Sequence, residues 1–338
     1  MQAKIGCLLV AAVSLVCAGP PTASAQTSVK FAIDWVFQGL HAPFAVAAQK
    51  KYFEREGLAV KVDRGSGSSD TIAKVASGTY DIGYGNTNLL VKFNHDNPNT
   101  PITSVFLLYD ATPLAVVALK SSGINEAKDL NGKNIAAPVG DDARHLFGAL
   151  ARFAGINAAS VQWTSVQPAI RDTLLFQRRV DAVAGHGPTM VLSLGKLGVP
   201  HDDLTIIPYS KYMPDLLGAG VFTTQKMIKE QPGIVRAFVK ATVSAMQDTL
   251  TDPKAAVALL ARYDQLIDQI GETDRLVQMI DLSMKSPLLK ERGLGTVSPE
   301  RLRKAVDILA EFMDAEPPQN LSTIYTEEFL PPSAQRRF

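Results

Sequence analysis

One piece of local grammar is written twice in this chain, and it limits the folds available. A helix leads into "ASGTYDIGYGN" at residues 76–86, and a second helix leads into "FQRRVDAVAGHG" at residues 176–187. Around each copy, strands alternate with helices. In the first half these are "LAVKVDRG", "DTIAKVASG", "YDIGYGN", "TNLLVKFNHD" and "PITSVFLLYD"; in the second, "PLAVVALK", "INEAKDL", "KNIAAPVG", "DARHLFGALARFAG", "VQWTSV", "AIRDTLLFQRR" and "VDAVAG". Alternating β and α units give a parallel sheet with helices on both faces. Because the pattern restarts after Asp110, the expected architecture is two similarly built α/β lobes, each with a mainly parallel sheet, and not one long sheet.

From Leu204 the grammar changes. "LTIIPYSKY" and "GAGVFTT" read as short strands, and helices follow to the end, the last with Leu302, Ala305, Leu309 and Phe312 on one apolar face. This tail is expected to pack on the first lobe. The chain then crosses between lobes twice, near residues 110–113 and 204–209, and two extended crossings make a hinge over a closing cleft. The expected division is residues 1–25 as a leader, 26–112 as the first part of lobe 1, 113–204 as lobe 2, and 205–338 as the return to lobe 1.

The leader reading rests on Lys4, an apolar run, Pro20 and Pro21, and small residues at Ala23 and Ala25, the pattern of a secretory signal cleaved after Ala25. Its removal takes away Cys7 and Cys17, the chain's two cysteines, and with them disulfides, thiolate metal sites and cysteine nucleophiles. It also leaves 33 Lys and Arg against 33 Asp and Glu. A balance near zero gives no reason to expect nucleic acid or a charged membrane surface as partner.

Catalytic motifs are not evident. There is no G-x-S-x-G elbow, H-E-x-x-H or phosphate-binding loop, and the five histidines lack metal-ligand spacing. No metal or cofactor is expected. The turns after strands are more informative, because in open α/β sheets ligands gather at the C-terminal strand edge. "DWVFQGLH" places Trp35, Phe37, Gln38 and His41 on one turn before a helix that carries Pro43 in its first turn. "RGSGSSD" (64–70), "YGNTN" (84–88), "PVGDDAR" (138–144) and "GHGPT" (185–189) are small, polar turns of the same kind. Arg144, in the first turn of its helix, either pairs with Asp141 or Asp142 or faces the cleft. Trp35 is expected to be a stacking platform. The expected ligand contacts are Trp35, Gln38, His41, Ser66, Ser68, Ser69, Asn86, Asn88, Tyr109, Gly140, Asp141, Arg144, Gln167 and His186.

"DWVFQGLHAPFAVAAQKKYFEREGL", with "ASGTYDIGYGN", "PITSVFLLYD" and "SSGINEAKDLNGKNIAAPVG", resembles the periplasmic solute-binding proteins related to thiamine-pyrimidine synthase, a group with binders for pyrimidine precursors, taurine, sulfonates and nitrate. The likeness runs from about Val29 to Leu250. It implies a two-lobed periplasmic-binding-protein fold, a monomer that binds a small molecule between its lobes in the periplasm, and delivery to an ABC permease in the inner membrane. Where the fungal synthase of this group carries a reactive histidine, this chain has Leu89, and where it carries a cysteine cluster, this chain has "PDLLGAGVF". The pyrimidine binders' "DW-x-P-N" turn is "DWVFQG" here. The expected ligand is therefore a small aromatic or heterocyclic solute, anions included, and the alternative is a synthase-like enzyme.

Overall fold

The computed structural model describes residues 26–338, so the leader expected over residues 1–25 and its cleavage site lie outside the described residues. Ten strands, β1 (Thr27–Ala32), β2 (Leu58–Asp63), β3 (Ile82–Asn86), β4 (Ile102–Leu107), β5 (Leu114–Leu119), β6 (Asn134–Ala137), β7 (Gln162–Ser165), β8 (Ala182–His186), β9 (Leu204–Pro208) and β10 (Ala219–Thr224), form two five-stranded sheets. Their orders are β2-β1-β3-β10-β4 and β7-β6-β8-β5-β9.

The two orders are the same topology. In each sheet four strands run one way, and the fifth, the strand that enters from the other lobe, lies antiparallel between two of them: β10 between β3 and β4, β5 between β8 and β9. The recurring sequence pattern is thus two copies of one lobe, each completed by an inserted strand.

Burial explains why the central strands read as continuous apolar runs. β5 ("LAVVAL"), inside its sheet between β8 and β9, is buried along both faces, so alternation is lost. In the first lobe Phe31 of β1 packs against Phe44 and Phe238, ring centroids 4.7 and 5.0 Å apart, which fastens the Ala42–Gln49 and Pro232–Thr251 helices to the sheet.

Two expectations are revised. β9 pairs with β5 along its whole length, so residues 204–208 belong to the second sheet; the chain re-enters the first sheet only at β10. The boundary at 204/205 therefore falls about a dozen residues early, because a strand at a sheet's edge carries no mark of which sheet owns it. The C-terminal helices also do more than cover the first lobe. The Gln269–Met279 helix reaches the second-lobe helix Gly187–Lys196, with Lys196 Nζ 2.6 Å from Asp268. The Pro299–Phe312 helix lays Leu302, Ala305 and Leu309 between the Leu89–Asp96 helix of one lobe and the Asp142–Ala154 helix of the other.

The crossings, residues 108–113 and 209–218, share one tether. Arg301 donates to the carbonyls of Asp215 (3.3 Å) and Leu216 (2.8 Å) in the second crossing and lies 3.9 Å from Asp110 in the first.

Candidate functional site

The C-terminal edges of the two sheets face each other, and between them lies a cavity with about 380 Å³ of empty space, its solvent mouth included. Both lobes supply its walls.

The first-lobe wall is the turn that follows β1. Asp34 is buried, and its two carboxylate oxygens take separate partners: Oδ1 lies 3.1 Å from His41 Nε2, and Oδ2 accepts from Ser68 Oγ at 3.1 Å. His41 Nδ1 accepts from the Gln38 backbone N–H at 3.1 Å, which leaves the ring proton on Nε2, donated to Asp34. The tautomer is thereby fixed by the turn itself. A Tyr84 ring meets the imidazole edge-on, 5.7 Å away. The Glu272 carboxylate, reaching from the C-terminal Gln269–Met279 helix, accepts from the Gly39 N–H at 2.7 Å and is itself paired with buried Arg275.

The second-lobe wall concentrates charge. Asp141 caps the Asp142–Ala154 helix, its Oδ1 accepting from the Ala143 and Arg144 N–H groups. Burial and then the neighbouring Asp142 charge push the Asp141 carboxyl up to about 7, against the pull of Arg171 and His186. Asp142 goes the other way. Burial would raise it, but the His186 contact and charge and the Asn86 hydrogen bond outweigh burial and hold it below the usual carboxylate range. His186, 3.5 Å from Asp142 Oδ2, is raised: burial opposes its charge, and Asp142, Asp34 and Asp141 favour it by more. Arg171 is 3% exposed and grips Asp172 with two nitrogens, Nε–Oδ1 2.7 Å and Nη2–Oδ2 3.3 Å, while Nη1 donates to the Ala184 carbonyl at 3.3 Å. Its guanidinium lies over Gly185, where any β-carbon would overlap Nη1.

Contacts across the cleft are direct. Asn86 Nδ2 donates to Asp142 Oδ2 at 2.8 Å, Ser69 Oγ donates to the Gly140 carbonyl at 3.2 Å, and Arg171 stands 6.0 Å from the centre of the Trp35 ring. At Gly67 (φ +141°) a β-carbon would overlap the Gly140 carbonyl, so backbone meets backbone where the lobes touch.

Of the residues singled out from sequence, Trp35, Gln38, His41, Ser68, Asp141 and His186 line the cavity. Asn86, Ser69 and Gly140 form the contacts between lobes just described. Asn88 lies behind Asn86, donating to its Oδ1 at 2.7 Å and exchanging hydrogen bonds with Leu217 of the second crossing.

Four fall elsewhere. Arg144 resolves into neither alternative: its guanidinium lies over the Trp163 ring at 5.1 Å and donates to Ser165 Oγ at 3.0 Å and the Ala137 carbonyl, on the outer side of the sheet. Helix geometry points a first-turn side chain back over the preceding strand, here β6 and its neighbour β7. Tyr109 is wholly buried in the first-lobe core beneath Gly218. Ser66 is exposed and bonds Asp70, and Gln167 is exposed ahead of the Pro168–Ile170 turn.

Sequence reasoning missed Asp34, Asp142, Arg171 and Thr189 as wall residues. Asp34 opens the quoted "DWVFQGLH" and Thr189 closes "GHGPT", so the turns were legible even where the side chains were not. Among the described residues no group of three or more His, Cys, Asp or Glu is arranged to hold a metal ion, and no helix is long and apolar enough to cross a membrane.

A family model described as NMT1/THI5 like matches residues 38–256. A Legionella pneumophila protein named 4-amino-5-hydroxymethyl-2-methylpyrimidine phosphate synthase is 24% identical over 91% of this chain and 94% of its own length. The riboflavin-binding protein RibY of Chloroflexus aurantiacus is 22% identical over 92% of this chain and 89% of its own. Among solved structures, a Bordetella bronchiseptica RB50 protein superposes with a TM-score of 0.73 at 21% identity, covering 90% of this chain and 96% of that one. The alkanesulfonate-binding protein SsuA of Xanthomonas axonopodis pv. citri, bound to MOPS, superposes at 0.66 with 14% identity, covering 90% and 99%. At these identities the superpositions carry the fold.

Proposed function

Given that the chain belongs to the NMT1/THI5-like family, we propose that it is the substrate-binding component of an ABC importer, capturing a small aromatic or heterocyclic solute between its lobes in the periplasm and handing it to the permease. The observation that carries this reading is a polar cavity walled by both lobes, with Trp35 on one side and Asp141, Arg171 and His186 on the other. A ligand held there touches two bodies joined by two crossings, and closure around it is how such a ligand would be read by a permease. The names of SsuA and RibY, a sulfonate binder and a riboflavin binder, support a binding role on this fold.

The second reading, a pyrimidine synthase, has the names of several relatives in its favour, among them the Legionella protein. The site weighs against it. His41 is the histidine of the opening turn, and both ring nitrogens are engaged within the protein, by Gln38 and Asp34. Leu89 and the cysteine-free described chain remove the other parts of the resemblance.

A thermal-shift screen across pyrimidines, flavins, aromatic acids, aromatic amines and sulfonates, followed by calorimetry on each hit, tests the proposal. Stoichiometric, reversible binding supports it. Formation of a pyrimidine product with iron, oxygen and pyridoxal phosphate, above a heat-killed control, would overturn it in favour of the synthase.

A further inference from the structure

The donors and acceptors of the cavity wall are unevenly occupied. His41 Nε2 is held by Asp34, His186 Nε2 faces Asp142, and Asn86 Nδ2 donates to the same Asp142 oxygen. Arg171, the guanidinium that an anionic ligand would need, has Nε and Nη2 on Asp172 and Nη1 on a backbone carbonyl. The carboxylate side is different. Asp141 Oδ1 caps its helix, but Oδ2 accepts no hydrogen bond among the described residues, and the nearest cation, Arg171 Nη1, stands 3.9 Å away. Asp141 is 3% exposed and lines the cavity.

We infer that the cleft selects a planar ring bearing a positively charged or N–H-donating nitrogen, with Asp141 Oδ2 as the group that accepts from it. The inference rests on the solute-binding reading and narrows it, replacing the expectation that anions are included. A carboxylate oxygen that opens on the cavity and accepts no hydrogen bond from the protein offers a ligand N–H a charge-assisted partner. An anionic ring would place its charge among Asp34, Asp141 and Asp142, with three of the arginine's five N–H groups held by Asp172 and the Ala184 carbonyl and His186 paired with Asp142, and like charges in a desolvated site disfavour binding strongly.

Proton linkage gives the inference a second readout. The groups that face Asp141 are Asp142 on its own helix, Arg171 with Asp172 on the Arg171–Phe176 helix, His186 at the end of β8, Tyr209 in the second crossing, and Asp34 with His41 across the cleft. With the Asp141 carboxyl at about 7 in the free protein, a cation that binds its ionised form should lose about tenfold in affinity between pH 8 and pH 6. His186 becomes more charged over the same interval and acts in the same direction.

The test is calorimetry on the full chain with three matched rings: benzamidine, benzamide and benzoate. Benzamidine should bind at least about tenfold more tightly than benzoate at pH 8, and this lead should shrink toward pH 6. Asp141→Asn keeps a helix-capping side chain and should abolish both the lead and its pH dependence. The charge series in the unaltered protein stands whether or not that variant folds. Benzoate binding as tightly as benzamidine, or no binding by benzamidine, would overturn the inference. A neutral or anionic hit in the thermal-shift screen would then leave the solute-binding reading standing, while an empty screen would remove both.

Discussion

Asn86 of the first lobe and Asp142 of the second share a 2.8 Å hydrogen bond, and both side chains are buried. Asn86 is oriented for it from behind, because its Oδ1 accepts from the backbone and side-chain N–H groups of Asn88. That fixes the amide with Nδ2 toward the cleft. The bond therefore exists only while the lobes are together, and it joins the ligand cavity to the crossings through Asn88 and Leu217.

Replacing Asn86 by Asp should open the molecule. A carboxylate would sit against the Asp142 carboxylate in place of an N–H donor. Losing a buried bond to a charged group costs about 1.5–3 kcal/mol, or roughly ten- to a hundredfold in affinity for a ligand that needs the closed form. Small-angle scattering should show a larger radius of gyration for Asn86→Asp than for the parent protein under the same ligand saturation. Equal radii would mean that this bond does not hold the lobes.

The two first-turn arginines should separate cleanly. Arg171→Gln leaves Asp172 and Asp141 without their cation in a buried site, a loss on the order of 3–5 kcal/mol. Arg144→Gln removes contacts to Ser165 and Trp163 at the partly exposed edge of the second sheet and should change stability by about 1 kcal/mol or less, with ligand affinity unchanged. Urea unfolding of both variants measures the difference.

These arginines also mark where sequence stops being informative. Each follows a strand and opens a helix, and nothing in "DDARHL" or "AIRDTL" says which one points into the cleft. The direction is decided by the start of the helix relative to the sheet edge, and by Gly185, which leaves room for a guanidinium on one side only. The repeated strand-to-helix turns, by contrast, depend on local patterning alone, and so the two lobes and the edge that carries the cavity were readable. Tyr109 fails for the same reason as Arg144: its turn was correctly located, but its ring faces the core. β5 and β10 were legible as strands, but their antiparallel insertion was not, because it is settled by pairing between segments distant in the chain, as between Val117 and Val183 or Val221 and Tyr84.

Trp35 lines the cavity and is half-buried, so its substitution should act on binding more than on folding. Ring stacking is worth about 0.5–1.5 kcal/mol beyond buried area, and Trp35→Ala should weaken a planar ligand by at least roughly tenfold. The melting temperature of the ligand-free protein should fall only slightly. A large fall with affinity intact would make Trp35 a packing residue.

Arg301 tethers both crossings at once, through Asp215, Leu216 and Asp110. Arg301→Ala should loosen the hinge without touching the cavity. Hydrogen exchange of amides in residues 108–113 and 209–218 should quicken together, while those of β3 and β8 keep their protection. Faster exchange in only one crossing would show that the tether is not shared.

Adjacent Asp141 and Asp142 should respond to neutralisation with opposite signs. The fold raises the Asp141 carboxyl from 3.8 to about 7, so its contribution to stability is greatest below about pH 4 and is lost as pH rises through 7. The fold lowers Asp142, so its contribution is present above the ordinary carboxylate value and disappears only as pH falls through the depressed one. His186, raised by the same neighbours, contributes fully below about 6.5 and loses this as pH climbs past its folded value. At pH 8, Asp141→Asn removes a buried charge that the fold resists and should stabilise the protein, by on the order of 2 kcal/mol. Near pH 4 the gain should vanish, because the native carboxyl is already protonated there. Asp142→Asn should be destabilising at pH 6, where its carboxylate faces a charged His186 and accepts from Asn86. Melting curves of the two variants between pH 4 and pH 8 make the comparison. If Asp141→Asn lowers the melting temperature at pH 8, Asp141 is held by Arg171 as a structural ion pair, and its free oxygen is not kept in reserve for a ligand.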